Sequence, residues 1–402
     1  MQSEGCHKEE GGHNERRNTY GHGSQIILAR IAVTAKRLVS LDVFRGATMA
    51  AMVIVNNPGD WSQVYAPLLH AEWHGWTPTD LIFPFFVFIV GVSVTLSTRT
   101  TMPLPVILRR SALICGLGLL LALAPRFDMS TVRIMGVLPR LALCYLGAAL
   151  FYRAVATADH EERWQAAVAI AAVLLVVYWL LMQFVAAPGG IAGDLTPSGN
   201  LGAWLDRSVL GEAHLWRQSK TWDPEGLLGT IPAIATALTG IAAGVILKSD
   251  RSQAEKTAFL IAGGGAAIVM GLVWDRAFPI NKNLWTSSYV LFTSGLASIA
   301  LAVCYWMIDG RGRQAMARPF VVLGTNALIL FVASGLLVKT LLFFKVTGGD
   351  GSEMSVNHWL YVTLFEPYAA PRNASLLFAL ANLAVLYLLL EFLYRKRWFL
   401  RV

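Results

Sequence analysis

Charge is in short supply in this chain. Asp, Glu, Lys and Arg make up 14% of its 402 residues, against about 25% in soluble domains, which excludes an ordinary water-soluble enzyme. Cysteine is scarce too. Of the four, Cys115, Cys144 and Cys304 lie within apolar runs and Cys6 in a polar tail, implying neither a disulfide framework nor a metal cluster. There is no G-x-x-x-x-G-K-[ST], no G-x-S-x-G and no G-x-G-x-x-G after a strand, so ATPase, serine-hydrolase and dinucleotide-binding readings lack support. No basic tract interleaved with aromatics suggests a nucleic-acid partner. No internal repeat marks an inverted-repeat transporter.

What the chain has is apolar length. Hydrophobic residues account for 55% of it, and ten apolar runs stand at 43–57, 80–98, 104–124, 134–153, 164–186, 226–248, 256–275, 285–307, 319–340 and 374–394. A spanning helix needs about 20 residues, and tilt or flanking aromatics cover the shorter runs. The expected fold is an all-α polytopic membrane protein, a bundle of about ten transmembrane helices over 39–402. Residues 1–38 read as a polar, disordered cytoplasmic tail whose His7, His13 and His22 form only a weak metal pattern. That tail has no apolar stretch after a short basic start, so no cleavable signal peptide is expected and the first span serves as its own signal.

The net charge of +8 speaks first about loops facing the cytoplasm. With the N-terminus inside, roughly two thirds of the Lys and Arg fall on inner segments. Both termini are therefore expected in the cytoplasm, with the long loops 58–79, 187–225 and 341–373 outside. Trp61, Trp73, Trp76, Trp204, Trp216, Trp222 and Trp285 crowd the outer segments. They suit an aromatic belt at headgroup depth or the floor of a sugar-binding cleft.

Polar residues concentrate around the first two spans. Asp42 and Arg45, at i and i+3, pair as an anchor at the inner boundary. Asn56 and Asn57 end the first span before the Pro58-Gly59 stop, where an amide can cap a helix or steady an oxyanion. His70 and His74 sit in the outer loop beside Glu72 and Asp80. Imidazole titrates near neutrality and can take a proton from an attacking amine or hydroxyl. The His-x-x-x-His spacing suits a metal only on a helix, which Gly75 and Pro78 oppose, so no metal is expected. Asp223-Pro224-Glu225-Gly226 reads as a helix start, Asp223 capping and Pro224 in the first turn. Asn281-Lys282-Asn283-Leu284-Trp285 puts amides and a cation at another outer helix mouth. Arg140, after Pro139 inside a span, needs a partner or an anionic ligand because an intramembrane guanidinium is costly.

The runs SLDVFRG, VNNPG, LLHAEWHGWTPTDLIFPFFVFIVG, RIMGVLPRLALCY, LDRSVLGEAHLW, WDPEGLLGTIPAI, INKNLWTSSYV and LGTNALILF together resemble the catalytic membrane domain of heparan-alpha-glucosaminide N-acetyltransferase and its bacterial relatives. The similarity runs in one order from Ser40 to the C-terminus. It implies an integral membrane enzyme, in a bacterial inner membrane, that moves an acetyl group from cytosolic acetyl-CoA to the amino group of a terminal, glucosamine-like sugar outside. The family's active-site histidine falls on His70 and its asparagine on Asn56. On that placement the CoA phosphates are expected near Arg45, Arg109, Arg110 or Arg140. The acceptor is expected near Asp80, Asp223, Glu225, Asn281, Lys282, Asn283 and Trp285. His70 either accepts the acetyl group itself or acts only as base. Besides the bilayer and its two substrates, the chain has apolar surface compatible with a homo-oligomer, since lipid-facing and subunit-facing surfaces look alike. The rival reading is a transporter of an amphiphilic anion or amino sugar built on the same bundle.

Overall fold

The computed structural model describes residues 38–97, 102–313, 317–347 and 352–399. The expected tail and its histidines lie outside them, Leu38 apart. The first span is α1 (Val39–Asn56). A short turn at Pro78–Leu81 leads into α2 (Ile82–Leu96), followed by α3 (Leu104–Leu123), α4 (Val137–Ala154) and α5 (His160–Phe184). After a long loop bearing α6 (Leu201–Leu210) come α7 (Thr230–Lys248), α8 (Gln253–Trp274) and α9 (Ser287–Cys304). Helix α9 widens into a π turn at Tyr305–Gly310. Then follow α10 (Arg318–Thr325), α11 (Ala327–Phe343), a two-stranded antiparallel hairpin of β1 (Lys345–Thr347) and β2 (Glu353–Ser355), α12 (Val356–Leu364) and α13 (Pro371–Arg395).

Among the described residues nine helices are long and apolar enough to cross a membrane, and α10 with α11 form an apolar pair bent by 79°, the geometry of a broken span or a re-entrant loop. Nine of the ten apolar runs of the sequence thus correspond to helices of spanning length, and the run 319–340 to the bent pair. The bend was not foreseen. It falls at Asn326, whose backbone leaves the helical region (φ −120°, ψ 39°) and whose amide donates to the Trp398 carbonyl.

Local chemistry explains the ends. Asp159 with Glu162 and Ser252 with Glu255 form capping boxes that open α5 and α8. The Asp309 carboxylate, within the π turn, accepts the free N–H groups of Val39 and Ser40 at the start of α1.

Helix α7 is the axis of the bundle, 78% of its spanning window being buried, whereas for α3 the figure is 11%. The peripheral helices expose Leu113, Leu120, Val173, Val269, Val273 and Leu388. Apolar side chains facing outward on helices of this length are what a bilayer solvates, and the protein is an integral membrane protein.

Close seams hold the centre. A methyl group at Gly91 would run into the Ala237 carbonyl of α7, and one at Gly240 into the Phe88 carbonyl of α2. Small residues at such crossings let backbones approach, which compensates for the missing hydrophobic force between helices in lipid. Replacing Gly240→Val is expected to lower the thermal unfolding midpoint in detergent by several degrees, because overpacking costs about 1–3 kcal/mol. An unchanged midpoint would mean that the seam can part freely.

Candidate active site

His70 lies between α1 and α2, and the start of α2 holds it in place. Thr77 is the residue before the Pro78–Leu81 turn, and Asp80, three residues on, reaches back to it. One Asp80 oxygen accepts the Thr77 N–H at 2.9 Å and the Ala71 N–H at 3.0 Å; the other lies 2.6 Å from His70 Nδ1. An ionised carboxylate only accepts hydrogen bonds, so Nδ1 is the donor to Asp80 and Nε2 is the ring nitrogen turned away from it. The Asp80 side chain is 1% exposed and that of His70 49%, an orienting group beneath a reachable one. The loop is closed on both flanks. The Thr77 hydroxyl donates to the Leu69 carbonyl at 2.6 Å, and Gly75, at φ +93°, donates its N–H to Ile280 at 2.7 Å.

The loop between α8 and α9 faces this histidine. Asn281 organises it: its side-chain oxygen accepts the Leu284 N–H at 2.9 Å and its own N–H donates to Thr286 Oγ1 at 3.0 Å. Trp285, at φ +56°, turns the chain into α9 and is fully buried, its indole donating to Thr236 Oγ1 at 3.1 Å. The outcome is Lys282 Nζ at 3.1 Å from His70 Nδ1, 3.3 Å from Nε2 and 3.8 Å from Asp80. The ammonium lies against the imidazole ring, nearly equidistant from its two nitrogens, and leaves the outward direction of Nε2 open. Burial pushes the Lys282 ammonium below the ordinary lysine range, against the pull of Glu225 and Asp80.

Asp223 does not cap a helix at Pro224, contrary to expectation. Helix α7 starts at Thr230, and Asp223 instead closes a tight turn, accepting the Glu225 N–H at 2.9 Å. The cause is Arg133, whose guanidinium bonds both Asp223 and Glu225. Burial disfavours the Arg133 charge, but Glu225 and Asp223 outweigh it and hold its pKa above the ordinary arginine value. Burial would likewise raise Glu225, yet Arg133, Arg140 and Lys282 keep it below the usual carboxylate range.

Arg140 lies beneath the same turn, fully buried. It donates to the Pro224 carbonyl at 2.9 Å and the Gly226 carbonyl at 2.8 Å, with its guanidinium 5.1 Å from the Trp285 ring centre. Asp206 of α6 accepts the Leu227 N–H at 2.7 Å from the other side, and burial pushes its carboxyl up to about 6. Trp73, Trp222 and Asn283 join Asp206 and Arg140 around a small cavity, the two indoles edge-on at 5.0 Å.

His70, Asp80, Asp223, Glu225, Asn281, Lys282, Asn283, Trp285 and Arg140 therefore gather at one end of the bundle. Trp285 and Arg140 support it from below. Asn56 ends α1 at this same end, its side chain exposed and without a protein hydrogen bond among the described residues, while Asn57 is buried against the Val53 carbonyl and Ser334. Arg45, Arg109 and Arg110 belong to the opposite end. Arg45 ties Asp42 to Ser93 and the Gly324 carbonyl, which is the expected anchor. Arg110 reaches Met102 and Arg109 is exposed. Arg133 and Asp206 were not foreseen as site residues. Arg133 is 90 positions from Asp223, and the only hint is that two carboxylates in a DPEG turn need a cation.

Fold and site define a helical membrane protein with an oriented, accessible histidine at one end of its bundle. The family model for heparan-alpha-glucosaminide N-acetyltransferase, catalytic, matches residues 37–270. Two curated proteins named heparan-alpha-glucosaminide N-acetyltransferase, from Mus musculus and Homo sapiens, are 32% and 31% identical over 362 and 361 residues. These alignments cover 76% and 75% of this chain and 54% and 53% of theirs. The chain belongs to the heparan-alpha-glucosaminide N-acetyltransferase family and spans about half the length of the curated relatives it matches.

Asp206 supplies a pH test. Its folded pKa of about 6 lies above the ordinary 3.8, so protonation stabilises the fold; that contribution is complete below about pH 4 and is lost as pH rises through about 6. Asp206→Asn keeps an oxygen for the Leu227 N–H. Its thermal midpoint is expected to rise relative to the native protein between pH 4 and 6 or so, and a constant difference over that range would contradict the assignment.

Proposed function

We propose that the chain is a membrane acetyltransferase that moves an acetyl group from acetyl-CoA to the amino group of a terminal, glucosamine-like sugar. The observation that carries this reading is the Asp80–His70 pair at 2.6 Å, which leaves Nε2 as a base or nucleophile at the rim of the bundle. Family membership supports the reaction type. The membrane proposed is a bacterial inner membrane, and the distribution of Lys and Arg favours cytoplasmic termini with the His70 end outside.

Two routes use the same atom. In a direct transfer, Nε2 takes the proton as the amine nitrogen bonds to the thioester carbonyl carbon; the C–S bond breaks, and the proton leaves with the CoA thiolate as thiol. In a relayed transfer, Nε2 itself attacks, the C–S bond breaks, and the amine then displaces imidazole from acetyl-imidazole while a proton passes to the released thiolate. The relay suits a donor and acceptor that occupy opposite compartments. Intersecting initial-rate plots mark the direct route and parallel plots the relay.

The Lys282 ammonium and the unpartnered Asn56 amide are the donors proposed for the developing oxyanion. Asn281, Asn283, Asp223 and Glu225 are proposed around the acceptor. Arg109 and Arg110, at the cytoplasmic end in this orientation, are proposed for the nucleotide phosphates, with Arg45, tethered to Asp42 and Ser93 at the same end, beside them in role; Arg140, bonded to two carbonyls, is proposed to hold the acceptor loop.

The deciding experiment follows label from radiolabelled acetyl-CoA onto glucosamine with detergent-purified protein. His70→Ala of equal thermal stability is expected to lose at least about 10²-fold in rate. Failure of the native protein to transfer label to any amino sugar would overturn the reading and favour transport. In the same assay Lys282→Met is expected to lower kcat by about 10²-fold with a smaller change in KM. A change in KM alone would instead make Lys282 a binding group.

A further inference from the structure

We propose that the cleft between α3 and α11, at the His70 end of the bundle, binds an anionic lipid by its headgroup phosphate. The cleft encloses about 590 Å³, between the second half of α3, the linker 124–136, the first turn of α4, residues 216–218 and α11. That is within the usual range for sites that hold an organic ligand. His70 is not among its walls. Nothing in the proposal depends on acetyl transfer.

Its lining has two characters. Leu121, Leu138, Phe331, Leu342 and Phe343 make one part apolar, whereas Arg126, Arg133, Arg217 and Lys339 bring four cations against a single carboxylate, Asp128. The carboxylates within reach do not meet all four. Arg133 is matched by Asp223 and Glu225. Arg217 donates to Thr131 Oγ1 at 3.0 Å, and Thr131 also bonds Asp128. Lys339 donates only to carbonyl oxygens, those of Leu121, Ala122 and Ala124 at the end of α3. Arg126 has no protein hydrogen bond or ion pair among the described residues. Two cations thus face the cleft without a carboxylate: Lys339, whose N–H groups are held by carbonyls but whose charge has no counter-ion, and Arg126, whose donors meet no protein acceptor among the described residues.

The lips decide the ligand. Leu120 is 53% exposed on α3, and Leu342 and Phe343 are each 49% exposed on α11, so the cleft opens sideways onto apolar, bilayer-facing surface. A free anion has no use for such walls, and a neutral or zwitterionic lipid has no use for surplus cations. An anionic headgroup attached to acyl chains satisfies both, the phosphate near Arg126 and Lys339 and the chains along Leu342 and Phe343.

The test is native mass spectrometry of the detergent-purified full chain, titrated in separate arms with phosphatidylglycerol, phosphatidylcholine, inorganic phosphate and acetyl-CoA. One phosphatidylglycerol is expected to be retained saturably, with no comparable retention of the other three. Arg126→Gln is expected to weaken retention about fivefold, the usual effect of one basic residue on anionic lipid. Arg276→Gln, an exposed cation outside the cleft, is expected to leave it unchanged. Lys339→Gln is expected to weaken retention likewise, and Arg126→Gln decides the matter should that variant not fold. Equal retention of phosphatidylcholine, comparable affinity for phosphate alone, displacement of lipid by acetyl-CoA, or full retention in Arg126→Gln would each overturn the proposal.

Discussion

Charge compensation at one end of the bundle is the constraint on which the remaining structure turns. Arg133, Arg140 and Lys282 face Asp80, Asp206, Asp223 and Glu225 in a setting largely withdrawn from water. Taking one such ion out of water costs several kcal/mol unless an opposite charge and hydrogen bonds replace the hydration shell. Each ion is therefore placed by another element: the 124–136 linker answers the 223–226 turn, α4 answers that turn from below, and the α8–α9 loop answers the start of α2. The loops at this end are long, yet these pairings leave them little freedom. A loop ordered by buried charge pairs also loses that order if one partner is removed, since the stranded ion costs more than the pair contributed.

The same arrangement grades exposure. Asp80 is enclosed and held by two backbone N–H groups, so it can define the tautomer of His70 without competing for solvent protons, while the imidazole is half open. Lys282 completes the gradient, a mostly buried ammonium whose stem lies within the protein and whose tip reaches the ring. An imidazole oriented by a buried carboxylate and flanked by a cation is the geometry on which the roles proposed for His70 and Lys282 rest.

Much of this was legible in sequence, for identifiable reasons. Spans declare themselves because twenty apolar residues in a row have few other uses, and nine of the ten runs correspond to helices of spanning length. His70 was singled out and Asp80 noted beside it, but Asp80 was expected at the acceptor; the rule that seats it, a threonine with an acid three residues on, is local and could have been read. The DPEG turn shows where such rules fail. Asp-Pro before an apolar run is a sound helix start by propensity, but Arg133, 90 residues earlier, claims both carboxylates and delays the helix to Thr230. Asp206 carried no signal, because an aspartate in a short amphipathic helix reads as surface until Leu227 is found against it. The bend at Asn326 was hidden for a related reason: hydropathy counts apolar length and is blind to direction.

The helix seams bear on what the bundle can do. Alternating access requires one group of helices to rock against another around a central site. Here α2 meets α7 with the backbone at Gly91 and Gly240 against facing carbonyls, α1 meets α10 in the same way at Gly46 and Gly324, and α8 meets α9 at Gly264 and Gly295. Backbones in contact interlock, and sliding them by even a fraction of a turn forces a side chain where only hydrogen fits. Arg45 adds a cross-brace, joining α1 to α2 through Ser93 and to α10 through the Gly324 carbonyl. A core so fastened is poorly suited to rocking and well suited to holding a histidine still. Group transfer asks only that a thioester come within bonding distance of Nε2, a motion that belongs to the donor and to side chains such as Lys282.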